Sequence, residues 1–209
     1  IKELERMASL AEENLNRAMN ALITLDEEDI EEVYEVEKNI NFLNHAITDY
    51  LVKINQTTLP IEDLNSLGAL FHVVHDIERI GDQASDIAEI VTYLSGACGH
   101  NTHIDQMAQA TIKMVTDSLD AFVRRDLTLA WSVIEYDDMV DRLFDECKSD
   151  LIAEIAQNPE DGERVLDVLM IAKYLERIGD HATNIAEWVE FSITGSHKSA
   201  MHGAEAAAR

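Results

Sequence analysis

The chain has 209 residues, 46% of them hydrophobic, enough to bury a sizeable core as one domain or two small ones. Its 41 acidic and 16 basic residues give a formal charge of −25, which repels phosphodiester backbones and leaves no basic stripe; nucleic acid is excluded as a partner, and cations or basic protein surfaces are favoured. The only cysteines, Cys98 and Cys147, stand apart without a CxxC, and no apolar run approaches the roughly 18 residues of a membrane span, so a cytoplasmic chain with free thiols and no membrane insertion is expected.

Apolar residues recur at steps of three and four along the whole chain, the period of amphipathic helices. A first helix is predicted over 2–24, ending at "LDEED", and a second over 27–55 with Val33, Val36, Ile40, Leu43 and Ile47 as its seam. After "NQTTLP" a third runs over 61–94 on Ile77, Ile80, Ala84, Ile87, Val91 and Leu94. "SGACGHNTH" at 95–103 is the crossing loop to helices over 103–124, 127–157 and 160–194. The last is entered through "QNPEDG", where Asn158 can cap, Pro159 suits the first position, and Glu160 and Asp161 complement the N-terminal dipole. No stretch reads convincingly as a strand.

The stretches "DIERIGDQASDIAEIV" at 76–91 and "YLERIGDHATNIAEWV" at 174–189 share ten of sixteen residues at an offset of 98. Upstream, Met7 and Met107, Asp26 and Asp126, Glu37 and Asp137, and Asn41 and Asp141 align at an offset of 100. The chain therefore reads as a tandem duplication, with one unit over 1–97, a second over 98–195 and a flexible tail over 196–209. Short connections make neighbours antiparallel, so the expected fold is all-α: two three-helix bundles, six helices in all, related by a pseudo-two-fold axis.

Within each third helix the residues flanking the seam are acidic. Glu78, Asp82 and Asp86 form a row at i, i+4 and i+8, and an antiparallel second helix brings Glu37 and Asn41 beside it. The second unit repeats this with Asp137, Asp141 and the more distant Asp145 opposite Glu176, Asp180 and Asn184. Like charges at i, i+4 destabilise a helix by about 0.2–0.5 kcal/mol per pair, and a mid-helix glycine such as Gly81 or Gly179 costs roughly 0.8–1 kcal/mol relative to Ala. Incurring both twice at matched positions points to a compensating cation, since clustered carboxylates and Asn carbonyls suit hard or borderline metal ions. The alternative is a solvated acidic face with Arg79 and Arg177 as counter-ions and the glycines serving tight helix packing.

His72 and His75 could extend the first row, whereas His181 has no matching neighbour, and the other histidines read as exposed or capping. There is no Glu-x-x-His of a ferritin-like di-iron site, no glycine-rich phosphate loop, no GxSxG and no HExxH. An oxidase or hydrolase built on clustered iron is the weakest reading, because no general base or enclosed pocket can be named. The chain is expected not to be an enzyme.

Through "ERIGD" followed by "HATNIAEWV", the sequence resembles the PhoU family of bacterial phosphate-homeostasis proteins, whose repeats carry a (D/E)xxxD signature on paired three-helix bundles. Glu78 to Asp82, Asp137 to Asp141 and Glu176 to Asp180 match the signature, while Glu37 to Asn41 departs from it at its last position. The resemblance implies that Asp86, standing where the usual Asn is seen at Asn184, offsets that departure in ligand supply. The resemblance implies divalent or trivalent metal ions at these residues, multinuclear iron above all, with zinc, manganese or magnesium as further candidates. It also implies an adaptor that links the phosphate ABC transporter, through its ATPase, to a sensor histidine kinase and so becomes associated with the membrane through a transporter.

The first half, "ITDYLVKINQTTLPIEDLNSLGALFHVVHDIERIGD", also resembles the cytoplasmic domain that follows the membrane region of bacterial sodium/phosphate cotransporters. A long apolar region upstream of Ile1 would distinguish the two. A third reading is a metal-free helical interaction module whose acidic faces bind a partner helix or a second copy of the chain as a homodimer.

Overall fold

A computed structural model describes residues 2–58, 60–94 and 102–196. Its elements are α1 (Lys2–Thr24), α2 (Glu27–Asn55), α3 (Ile61–Tyr93), α4 (Thr102–Arg124), α5 (Leu127–Gln157), a 3-10 turn at Pro159–Asp161 and α6 (Gly162–Thr194). Among the described residues there is no strand, and no helix is long and apolar enough to cross a membrane. Most of the crossing loop, with Cys98, and the tail beyond Ser196 lie outside the described residues.

The same turn joins the first two helices of each unit. Leu25 and Arg125 adopt left-handed backbone angles, with φ of 55° and 53°. Asp26 then caps α2 by accepting from the Glu28 amide at 2.9 Å, and Asp126 caps α5 by accepting from the Thr128 and Leu129 amides at 3.0 and 3.1 Å. Each cap satisfies amides that have no partner inside the helix.

Entry to α6 departs from expectation. Asn158 makes no side-chain cap hydrogen bond; its backbone amide donates instead to the Glu154 carbonyl, closing α5. Pro159 starts the 3-10 turn rather than the α-helix, and α6 begins only at Gly162. Arg164 of α6 reaches back to Glu154 and ties the two helices across this turn.

α1, α2 and α3 pack on one another, as do α4, α5 and α6, and the halves join through α3 against α6 and α1 against α4. Met7, Leu15, Ile40, Ile77, Ile80 and Ile87 are fully buried in the first half, matched by Met107, Met114, Ile171, Leu175, Ile178 and Ile185 in the second. They belong to one continuous apolar cluster. Along the α3–α6 contact, His72 stacks on Trp188, Asp76 accepts from Asn184 and the Tyr174 hydroxyl lies near Asp86, an order that makes the helices antiparallel. The last two pairs exchange with each other under the 98-residue offset, which expresses the pseudo-two-fold axis in side-chain contacts.

Candidate functional site

The first carboxylate group lies in the groove between α2 and α3. Glu37, Glu78 and Asp82 are all half-buried. Loss of hydration and then the charge of Asp82 raise the carboxyl pKa of Glu37, while the Asn41 amide donates to it and partly offsets the shift. Glu78 is raised for the same two reasons, with Glu37 adding a smaller repulsion. Arg79 only partly relieves this by bonding Asp82 at 3.0 Å, and His75 Nδ1 lies 3.6 Å from Glu78 Oε2. That Oε2 atom is buried without a hydrogen-bond partner. α2 comes this close because residue 81 is glycine; a Cβ there would sit 2.8 Å from Ile40 Cδ1.

The second group repeats the arrangement between α5 and α6. The Asp137 carboxyl is pushed up to about 6, first by burial and then by Asp141 and Asp180. The Thr183 hydroxyl lies near enough to favour its charge slightly, although it makes no hydrogen bond of good geometry. Asp180, although exposed, is raised by partial desolvation and by Glu176, against the opposing pull of Lys173, and Lys173 itself bonds Glu176. Gly179 is less crowded than Gly81, since a Cβ there would meet Val140 Cγ1 at 3.6 Å and Asp137 Oδ1 at 3.8 Å.

Other residues of the two rows turn elsewhere. Asp86 is raised by burial and Asp82, while the nearby Tyr174 hydroxyl across the interface favours its charge, and Asn184 donates to Asp76 at 3.4 Å. Asp145 is exposed and bonds Lys148 at 2.9 Å. A row at i, i+4, i+8 rotates slowly around a helix of 3.6 residues per turn, so its third member leaves the groove that the first two share. His72 stacks on Trp188 with ring centroids 3.9 Å apart and does not extend the first row. His181 does have a partner, Asp76 Oδ1 at 2.8 Å, supplied by the other half of the molecule.

Oxygen donors from two helices thus meet twice. Among the described residues, however, no three His, Cys, Asp or Glu side chains already converge around one point. The donor chemistry suits a hard or borderline cation, and Glu78 Oε2 is a buried acceptor without a donor, while enclosing an ion requires the carboxylates to rotate toward one another.

The PhoU domain family matches residues 4–91 and 104–189. The chain belongs to the PhoU family. It is 34% identical over 197 residues to the phosphate-specific transport system accessory protein PhoU homolog of Clostridium acetobutylicum, covering 92% of this chain and 90% of that protein. The corresponding protein of Pseudomonas aeruginosa is 36% identical, over 91% of this chain and 80% of its own. The crystal structure of PhoU from Pseudomonas aeruginosa superposes with a TM-score of 0.90 at 35% identity, covering 93% of this chain and 95% of that one. PhoU from Streptococcus pneumoniae, at 24% identity and a TM-score of 0.87, shares the fold.

Two polar contacts of this PhoU-family chain escaped sequence reasoning. Glu190 is buried and accepts from Trp131 Nε1 at 3.0 Å, with its second oxygen unpartnered. Trp131 and Glu190 are 59 residues apart, and His181 and Asp76 are 105 apart; neither pair has a local signal, since only the helix packing brings the partners together.

Proposed function

We propose that the chain is a non-catalytic accessory regulator of phosphate transport whose paired carboxylate groups bind metal ions. The observation that carries the reading is the repetition, in both halves, of neighbouring carboxylates on two helices, half-buried at Glu37, Glu78, Asp82, Asp137 and Glu176 and exposed at Asp141 and Asp180, whose ionised forms disfavour one another. It is supported by the curated relatives, which are named accessory proteins of the phosphate-specific transport system. Glu37, Asn41, Glu78 and Asp82 would hold the ions of the first half, and Asp137, Asp141, Glu176 and Asp180 those of the second, with Asp86 and Asn184 completing the rows after a change of partner. Multinuclear iron is the leading occupant, with zinc, manganese or magnesium as the alternatives.

A bound cation supplies positive charge where the chain has an excess of negative charge. Its effect on the protein is to remove the repulsion between α2 and α3 and between α5 and α6, and to present a stiffer, less anionic face for docking. The partners in this reading are the ATPase of the phosphate ABC transporter and the sensor histidine kinase, met on the cytoplasmic side of the membrane.

Elemental analysis of untagged protein purified without chelator tests the site. The Glu176→Ala, Asp180→Ala variant is expected to lose the metal of one half and to weaken binding of the transporter ATPase while its helical circular dichroism is unchanged. Unchanged metal content in that variant would sink the site assignment.

A further inference from the structure

A difference between the two halves also lies away from the carboxylates. A cavity of about 230 Å³ opens between the start of α1, the first half of α3 and the ends of α4 and α6. Leu4, Leu70, Leu119 and Phe122 are among its apolar walls, and Glu5, Arg125 and Ser192 are among its polar residues.

The internal repeat shows what normally fills such a place. Under the offsets of 98 and 100, Ser192 corresponds to Leu94, and Arg125 and Phe122 to Leu25 and Leu22. Leu94 and Leu22 are 7% and 4% exposed, and Leu25 packs against the core. Arg125 keeps the left-handed turn of Leu25, but its side chain runs to the Ser192 carbonyl at 3.3 Å. Among the described residues it forms no salt bridge with a carboxylate. Where the first half has the core-packed Leu94 and Leu25, the second half has Ser192 and Arg125 on an apolar hollow, with a cation at its edge. Val123 on its wall is 49% exposed, so the hollow is reachable from solvent.

We propose that this cavity is a binding site for a single-chain amphiphile with a carboxylate head, the alkyl tail occupying the hollow and the carboxylate pairing with Arg125. An apolar cavity of about 150 Å³ stays dry and accepts benzene, so scaling by volume gives this one room for roughly eight or nine carbons. A guanidinium is the side chain best matched to a carboxylate, through two parallel N–H donors. In a chain of net charge −25, a cation with no acidic partner among the described residues, beside an apolar hollow, discriminates by charge. Glu5 opposes an anionic head and so provides an internal control.

The test is calorimetric titration of the full chain with octanoate, octanol and octyltrimethylammonium, with and without EDTA. Octanoate is expected to bind saturably, about tenfold more tightly than the cationic amphiphile, and without dependence on EDTA. Arg125→Gln removes that preference, Glu5→Gln tightens octanoate binding a few-fold, and Ser192→Leu, which restores the side chain of the other half, abolishes binding in a protein that still melts cooperatively. Should Ser192→Leu fail to fold, the two exposed-site variants still decide the matter. Equal affinity for all three probes overturns the assignment of an anionic ligand, as does indifference to Arg125→Gln. No binding, or octanoate binding that survives a folded Ser192→Leu, overturns the site.

Discussion

Replacing Asp137 by Asn removes a charge that the folded protein holds at a disadvantage. The carboxyl lies at about 6 when folded against an ordinary 3.8, so the folded state retains a proton that the unfolded chain releases across that interval. The associated stability is complete below about pH 4 and is lost as pH rises through 6; above that, the folded protein carries the whole penalty of a desolvated carboxylate beside Asp141 and Asp180. A shift of this size corresponds to at most ~3 kcal/mol, and partial solvent screening reduces it to about 1–2 kcal/mol. Asn keeps the shape without the charge. Asp137→Asn should therefore raise Tm at pH 7.5 in EDTA by roughly 3–6 °C for a chain of this size, and the gain should fall to about half at pH 5. The assay is thermal melting followed by circular dichroism, with metal added in parallel. If the cluster binds metal, wild type gains more from it at pH 7.5 than at pH 5, and the variant gains less than wild type. An equal gain from the substitution at both pH values, or a loss at pH 7.5, refutes the reasoning, because the carboxylate would then not be a repelled, desolvated charge.

The two repeat glycines should respond differently to alanine. Gly81→Ala forces Cβ to within 2.8 Å of Ile40 Cδ1 and should destabilise by about 1–3 kcal/mol, whereas Gly179→Ala meets ordinary contacts from 3.6 Å outward and should gain up to ~1 kcal/mol of helix propensity; chemical denaturation of both variants measures the contrast. Burial, and secondarily Asp150, pushes the Cys147 thiol up to about 11. In a Cys98→Ser background, an aromatic disulfide reagent at pH 8 should therefore react with Cys147 only after unfolding. Trp131→Phe leaves buried Glu190 without its donor and should cost about 1–3 kcal/mol, most of it recovered when Glu190→Gln is added; equal losses in single and double variants would show that the indole packs rather than donates.

The helix spans and the two aspartate-capped turns were legible because each is local, and the internal repeat because self-comparison reveals it. Asp26 and Asp126 bond amides two or three residues away, and the seam through Ile77, Ile80, Ala84 and Ile87 is buried as its period requires. The pairing of Glu37 with Asp82 and of Asp137 with Asp180 was also readable, since antiparallel neighbours with matched seams must bring their flanks together. Asp86 and Asn184 were less readable. Their row spacing placed them with the carboxylates, but a second helix lies on the other side of the same flank and offers Tyr174 to one and Asp76 to the other.

What the sequence by itself determined is therefore the list of helices, their order, their apolar faces and the twofold repetition of an acidic flank, because all of these follow from the 3.6-residue period and from self-comparison. Only the tertiary structure decided how the halves meet. The antiparallel crossing of α3 and α6 turns His181 toward Asp76, removes Asp86 and Asn184 from their rows and leaves a hollow where Ser192 replaces the equivalent of Leu94. Such contacts join residues about a hundred positions apart, and their geometry depends on helix packing that no local pattern encodes.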